Sequence, residues 1–101
     1  MTAYLVCWVD VRDLETYSKY TAQTPGIIAQ YGGRFLVRGG EIQILEGEAF
    51  EGRLIIVEFP SVAAANRFYN SPEYQAAKAI REPASTARFV VATGVQGLAS
   101  G

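Results

Sequence analysis

The chain reads as an α+β protein of the ferredoxin-like kind, a split β-α-β sandwich with an antiparallel sheet and helices on one face. Three observations lead there. Two strongly apolar segments, residues 4–11 and 53–59, have the length and β-branched content of strands. Capping signals at Asp13, Ser61 and Ser71 open helical stretches after each of them. A third apolar run, residues 87–95, closes the chain. The order is β-α-β-(β)-β-α-α-β, without repeat or linker. In the split β-α-β topology the first and third main strands lie in the middle of the sheet, and here those are the two most apolar ones.

Residues 3–11 form a near-continuous apolar run that meets charge at Asp10, Arg12 and Asp13, the pattern of a strand covered on both faces. Asp13 is placed to cap a helix beginning at Leu14. Tyr17, Tyr20, Thr24, Ile27 or Ile28, and Tyr31 recur at helical spacing. Thr24-Pro25-Gly26 interrupts them, because Pro25 removes a backbone donor; a kink, or a restart capped by Thr24, is expected. Gly32-Gly33 supplies the helix exit.

Residues 34–38 alternate, with Arg34, Leu36 and Arg38 on one face and Phe35 and Val37 on the other. Gly39-Gly40 is a two-residue turn signal, so EIQILE (41–46) is expected to return as the second strand of a hairpin, followed by a loop over 47–52. Residues 53–59 make the second apolar strand, closed by Pro60. Ser61 caps a helix to about Asn70 with Ala65, Phe68 and Tyr69 inward. Ser71-Pro72-Glu73 is a cap, a proline at the first helical position and an acid in the first turn. That helix turns Tyr74, Ala77 and Ile80 inward and ends near Glu82-Pro83. One domain over residues 1–96 and a flexible tail over 97–101 are expected.

A chain of 101 residues with a formal net charge of -1 and no run of like charges offers no electrostatic footprint for nucleic acid or an anionic membrane. The apolar run from Ala3 to Val9 is too short to span a bilayer and no basic segment precedes it, so a cytoplasmic setting is expected. The single Cys7 suits a reducing compartment and reads as a small core hydrophobe. Histidine is absent, which removes the commonest general base and metal ligand; neither metal nor cofactor is expected. P-loop, GxGxxG, CxxC and GxSxG motifs are missing too. RLIIVEF lacks the spaced aromatics with which an RNA-recognition sheet stacks bases.

The central strands are apolar on both faces. Leu5, Cys7 and Val9 oppose Tyr4, Val6 and Trp8; Ile55, Val57 and Phe59 oppose Leu54 and Ile56. Helices cover one face, so the other would expose an apolar patch unusual for a soluble monomer. Two copies packed sheet to sheet about a two-fold axis would cover it as a homodimeric α+β barrel and enclose a cavity. The other solution is the hairpin or the tail folding over the open face.

Alternation puts Glu58 with Leu54 and Ile56. With Phe35 and Val37 under the helices, Arg38 and Glu58 would point into the dimer cavity beside Tyr4 and Trp8. Charges there need partners. One reading is a structural Arg38–Glu58 pair. The other is Arg38 as an anion or carbonyl anchor and Glu58 as a pKa-shifted acid or base. Tyr17 and Tyr20, three apart, are not expected both to point fully inward, so one can aim its hydroxyl at the pocket; Tyr69 and Tyr74 share that ambiguity. Arg81 suits the helix C-terminus or a ligand carboxylate.

YSKY (17–20), GGRFLVRGG (32–40), LEG (45–47), RLIIVEFPS (53–61), Ala64-Ala65, Phe68-Tyr69, SPEY (71–74) and Arg81, in this order and spacing, resemble the domain of unknown function 1330 family. The resemblance covers nearly the whole chain. It implies a dimeric α+β barrel of ferredoxin-like subunits and no established activity. Wider structural relatives of that family include cofactor-free monooxygenases, small isomerases and haem-degrading enzymes, and the lack of histidine weighs against haem here. The expected function is binding of a small, partly apolar metabolite, anionic or neutral, in a cavity between sheet and helices, with Arg38, Glu58, Tyr17, Tyr20, Trp8, Tyr74 and Arg81 as ligand-binding candidates. The alternative is a cofactor-independent monooxygenase or isomerase, with Glu58 abstracting a proton and Arg38 stabilising the oxyanion.

Overall fold

In the computed structural model, which describes residues 1–95, the first half of the chain runs β1 (Ala3–Val11), α1 (Leu14–Thr21), α2 (Thr24–Gln30) and β2 (Arg34–Arg38). The second half runs β3 (Arg53–Phe59), α3 (Val62–Asn70), α4 (Pro72–Arg81), one 3-10 turn at Glu82–Ala84 and β4 (Ser85–Thr93). The strands form one antiparallel sheet in the order β2-β3-β1-β4, so the two most apolar strands are central. The tail expected over 97–101 lies outside the described residues.

Local chemistry sets the helix boundaries. Asp13 accepts from the Thr16 amide at 3.1 Å and the Thr16 hydroxyl at 2.7 Å, satisfying donors that the first turn of α1 leaves free. The expected interruption before Pro25 is a clean break at Ala22-Gln23. Thr24 does not cap α2; it is the first helical residue and is buried, while Gln23 holds the cap position without a side-chain bond. Ser61 caps α3 through the Ala64 amide at 3.0 Å. Ser71 accepts from the Tyr74 amide at 3.1 Å and donates to the Phe68 carbonyl at 2.8 Å, closing α3 and opening α4 with one hydroxyl.

All the helices lie on one face of the sheet. Leu5, Cys7 and Val9 of β1 and Val57 and Phe59 of β3 point into them and meet Tyr17, Tyr20, Ile28, Phe68 and Tyr74. Tyr4, Val6, Trp8, Leu54 and Ile56 point to the opposite, open face and are half-buried, as the alternation requires.

Two expectations fail in the β2 region. Residues 41–46 form no strand, and the chain from Gly39 to Gly52 has no regular structure. Gly39 adopts φ +70° and its amide donates to the Leu54 carbonyl at 2.9 Å, so β2 hydrogen-bonds to β3 and not to EIQILE. A strand at 41–46 would have formed an outer edge with no helix beneath it, and Leu45 is accordingly 84% exposed. The second failure is a β-bulge. Arg34 pairs with Glu58 and Phe35 with Val57, but Val37 then pairs with Ile56 and Arg38 with Ile55, leaving Leu36 without a partner. The extra residue reverses the phase of the strand beyond it. Arg38 therefore shares the helix face with Phe35, and Val37 turns to the open face.

Candidate functional site

The bulge brings a second charge to a cavity of about 180 Å³ between the sheet and helices α1, α2 and α3. Cys7, Phe35, Ile55, Val57 and Phe89 line it from the sheet, and Tyr17, Tyr20, Thr24, Ile28 and Phe68 from the helices. Arg38 and Arg53 are its charged lining residues. Arg53 opens β3 opposite Val9 on the helix face. Its guanidinium lies against Gly39, where a Cβ would sit 2.5 Å from a terminal nitrogen, and its Cζ is 5.6 Å from the Tyr17 ring centre. Its Nε is buried without a hydrogen-bond partner. Arg38, more exposed, stacks its guanidinium 4.4 Å from the Phe35 ring centre. Among the described residues neither arginine forms an ion pair.

Arg53 was absent from the sequence-based candidates, although the signal was there: it lies two and four residues before Ile55 and Val57 on a regular strand and must share their face. Arg38 was a candidate, but for the wrong face. The expected Arg38–Glu58 partnership does not exist, because the bulge separates the two across the sheet. Glu58 lies on the open face and accepts from Arg34 Nε at 2.9 Å. Trp8 is also on the open face, with the Arg88 guanidinium 5.4 Å from its ring centre. There it borders a shallow groove shared with Glu48, Ala49 and Phe50 of the long connection. Val90 remains 37% exposed on the same face.

Tyr17 and Tyr20 are both buried and both line the cavity, against the expectation that only one could turn inward. α1 lies with its tyrosine side flat on the core, and the two rings stack at 5.4 Å. The Tyr20 hydroxyl is committed to the Tyr74 hydroxyl at 2.8 Å. Tyr74 itself is fully buried behind the cavity wall. Arg81 is only 6% exposed, and its guanidinium lies 4.6 Å from the Phe89 ring centre and 5.7 Å from that of Tyr20. It borders a separate depression with Lys78 and Tyr69, not the cavity. The site candidates thus divide three ways: Arg38, Tyr17 and Tyr20 at the cavity, Tyr74 and Arg81 behind it, and Trp8 and Glu58 across the sheet.

Electrostatics limit what the cavity can do by itself. Burial pushes the Cys7 thiol up to about 12, with the Arg81 charge opposing, so at neutral pH it is no nucleophile. Burial likewise raises Tyr17, against the pull of Arg53, and raises Tyr20, where Tyr74 adds to the effect. Both phenols therefore stay protonated. For Arg81, burial disfavours the charge, but Tyr74 and Tyr20 outweigh it and its pKa is raised. Among the described residues no three His, Cys, Asp or Glu side chains converge to ligate a metal ion. None of their helices is long and apolar enough to cross a membrane. Among the described residues the cavity is lined by aromatic and apolar walls, by two cations of which Arg38 is at the exposed rim, and by no general base, a chemistry suited to holding an amphiphilic anion.

Residues 2–95 match the family described as domain of unknown function (DUF1330). No curated protein matches the chain. Among solved structures, a protein of unknown function from Rhodopseudomonas palustris superposes with a TM-score of 0.74 at 22% identity, over 95% of this chain and 84% of its own. A dimeric ferredoxin-like protein of unknown function from Jannaschia sp. CCS1 gives a TM-score of 0.72 at 14% identity, over 93% of this chain and 100% of its own. SnoaB, a cofactor-independent oxygenase from Streptomyces nogalater, gives 0.67 at 19% identity, over 98% of both chains. At these identities the likeness is one of fold: a ferredoxin-like α+β sandwich.

Proposed function

The chain belongs to the DUF1330 family, and we propose that its helix-side cavity binds a small, partly apolar, anionic metabolite anchored by Arg38 and Arg53. The observation that carries this reading is the pair of guanidinium groups lining an apolar cavity without an ion pair of their own. A partly buried cation without a counter-charge is costly, and a bound carboxylate or phosphate would supply one in bidentate geometry. Tyr17 and Tyr20 contribute aromatic walls. The working unit in this reading is a cytoplasmic homodimer joined through the open faces of the two sheets, as the dimeric ferredoxin-like neighbours suggest. That arrangement leaves the cavity on the far side of each sheet and the Arg34–Glu58 pair near the interface.

The likeness to SnoaB favours a second reading, cofactor-independent oxygenation. Two guanidiniums could stabilise an oxyanion in such a reaction. Glu58, however, faces away from the cavity and is paired with Arg34, so it is not the proton acceptor, and the lining offers no other. Binding without turnover therefore accounts for more of the site.

The test is a ligand screen of the purified protein by native mass spectrometry, using pooled small anions and their neutral counterparts. Anionic, partly apolar hits that weaken in Arg38→Ala and Arg53→Met support the reading. Hits indifferent to both substitutions contradict it. Oxygen uptake with a confirmed hit would move the conclusion to the second reading.

A further inference from the structure

The size and polarity of the cavity narrow the ligand class, on the premise that the helix-side cavity is the binding site. Its volume is about 180 Å³. An engineered apolar cavity of ~150 Å³ takes up one benzene molecule. A single six-membered ring therefore fits within the walls, and a fused second ring would extend toward the open rim. Those walls are aromatic or branched aliphatic: Tyr17, Phe35, Ile55, Val57 and Phe68. Flat faces of this kind favour a ring through offset stacking and edge contacts.

Both charges come from the β2–β3 side of the sheet. Arg38 pairs with Ile55 across the β2–β3 ladder, and Arg53 precedes Ile55 by two residues on the same face. The Arg53 head rests on Gly39 at the Ile55 end of the cavity, and the Arg38 head reaches back along β2 to the Phe35 ring at the rim. Leu5, paired with Val57, and Phe68 make the other end apolar. The two arginines also differ in exposure. Arg53 is held between Gly39 and the Tyr17 ring with its Nε buried, so its coplanar terminal nitrogens are the groups that an anion in the cavity can meet. Arg38, exposed at the rim, adds a second positive charge and faces solvent.

From this geometry we infer that the ligand is a single-ring carboxylate, its ring between Tyr17 and Phe68 and its carboxylate on the Arg53 fork. Arg53 is the specificity-determining residue and Arg38 the rim charge. A planar carboxylate matches two coplanar terminal nitrogens, and a neutral ring leaves the Arg53 charge without a counter-ion.

Benzoate, benzamide and 2-naphthoate serve as probes, followed by two-dimensional NMR of the labelled protein at neutral pH. Benzoate should shift the signals of Tyr17, Phe35 and Ile55 and leave the Trp8 indole, on the opposite face, in place. Benzamide should bind at least ~10-fold more weakly, the difference expected for loss of a charge-assisted bidentate contact. That gap should close in Arg53→Met and largely close in Arg53→Lys, which keeps the charge but not the fork. The amide spectrum of each variant reports whether it is folded. Equal binding of benzamide and benzoate overturns the carboxylate assignment and leaves the apolar cavity as a binding site. Binding of 2-naphthoate but not benzoate overturns the single-ring assignment while the anion site stands. Shifts at Trp8 without shifts at Tyr17, or no shift with any probe, overturn the inference and the cavity reading together.

Discussion

At the scale of single residues, the buried polar groups of this core set its tolerance to change. Tyr20 and Tyr74 satisfy each other through a 2.8 Å hydrogen bond within an aromatic cluster in which Phe68 lies 4.6 Å from Tyr74. Tyr74→Phe removes one hydroxyl and strands the other in the core, so it should lower unfolding stability by about 1–3 kcal/mol. Urea denaturation measures this; an unchanged midpoint would mean that Tyr20 reaches another partner. The thiol of Cys7 gives a second prediction. Its pKa is 9.0 unperturbed and about 12 in the fold, so the folded state holds the proton more tightly. The stability this confers is complete below pH 9.0 and is lost as pH rises toward about 12. Thermal melts should show wild type falling faster than Cys7→Ala across that window. Parallel curves would place the thiol in contact with water. None of this pairing was visible in the sequence, because a tyrosine at an inward helical position looks the same whether or not its hydroxyl finds another.

At the scale of elements, legibility followed regularity. The caps at Asp13, Ser61 and Ser71 and the faces of β1 and β3 could be read directly, since each depends on short-range spacing that nothing interrupts. The strand RFLVR could not, because a bulge is an event between two strands and leaves no mark on either alone. That one unpaired residue, Leu36, moved Arg38 to the helix side and dissolved the expected pair with Glu58. The apolar character of EIQILE misled for a related reason: the segment has strand composition but no neighbour to cover it. Ser71 offers the clearest test of an element. Its hydroxyl serves both the Phe68 carbonyl and the Tyr74 amide, and it is buried. Ser71→Ala should therefore cost about 1–2 kcal/mol, toward the upper end for an N-cap loss. Denaturant titration should show a lower midpoint with an unchanged slope. A cost below a few tenths of a kcal/mol would mean water replaces the cap.

At the scale of the whole molecule, one sheet faces two ways. Its helix side carries the cavity; its open side presents Val6, Trp8, Leu54, Ile56 and Val90, with the Arg34–Glu58 pair at the β2 edge. The sequence made the apolar open face plain, and burying it against a second copy is the expected outcome. Light scattering should give about twice the subunit mass of 11.0 kDa. A monodisperse monomer would mean that the open face stays in water. The sequence did not show that Arg38 shares the helix face with the cavity, because that placement turned on the bulge. Crystals soaked with 4-bromobenzoate decide directly, by the anomalous signal of bromine, which face carries the ligand site. The expected peak lies on the helix side of the sheet near Tyr17 and Phe68, with the carboxylate at Arg53; a peak on the open face beside Trp8 and Glu58 would contradict the account.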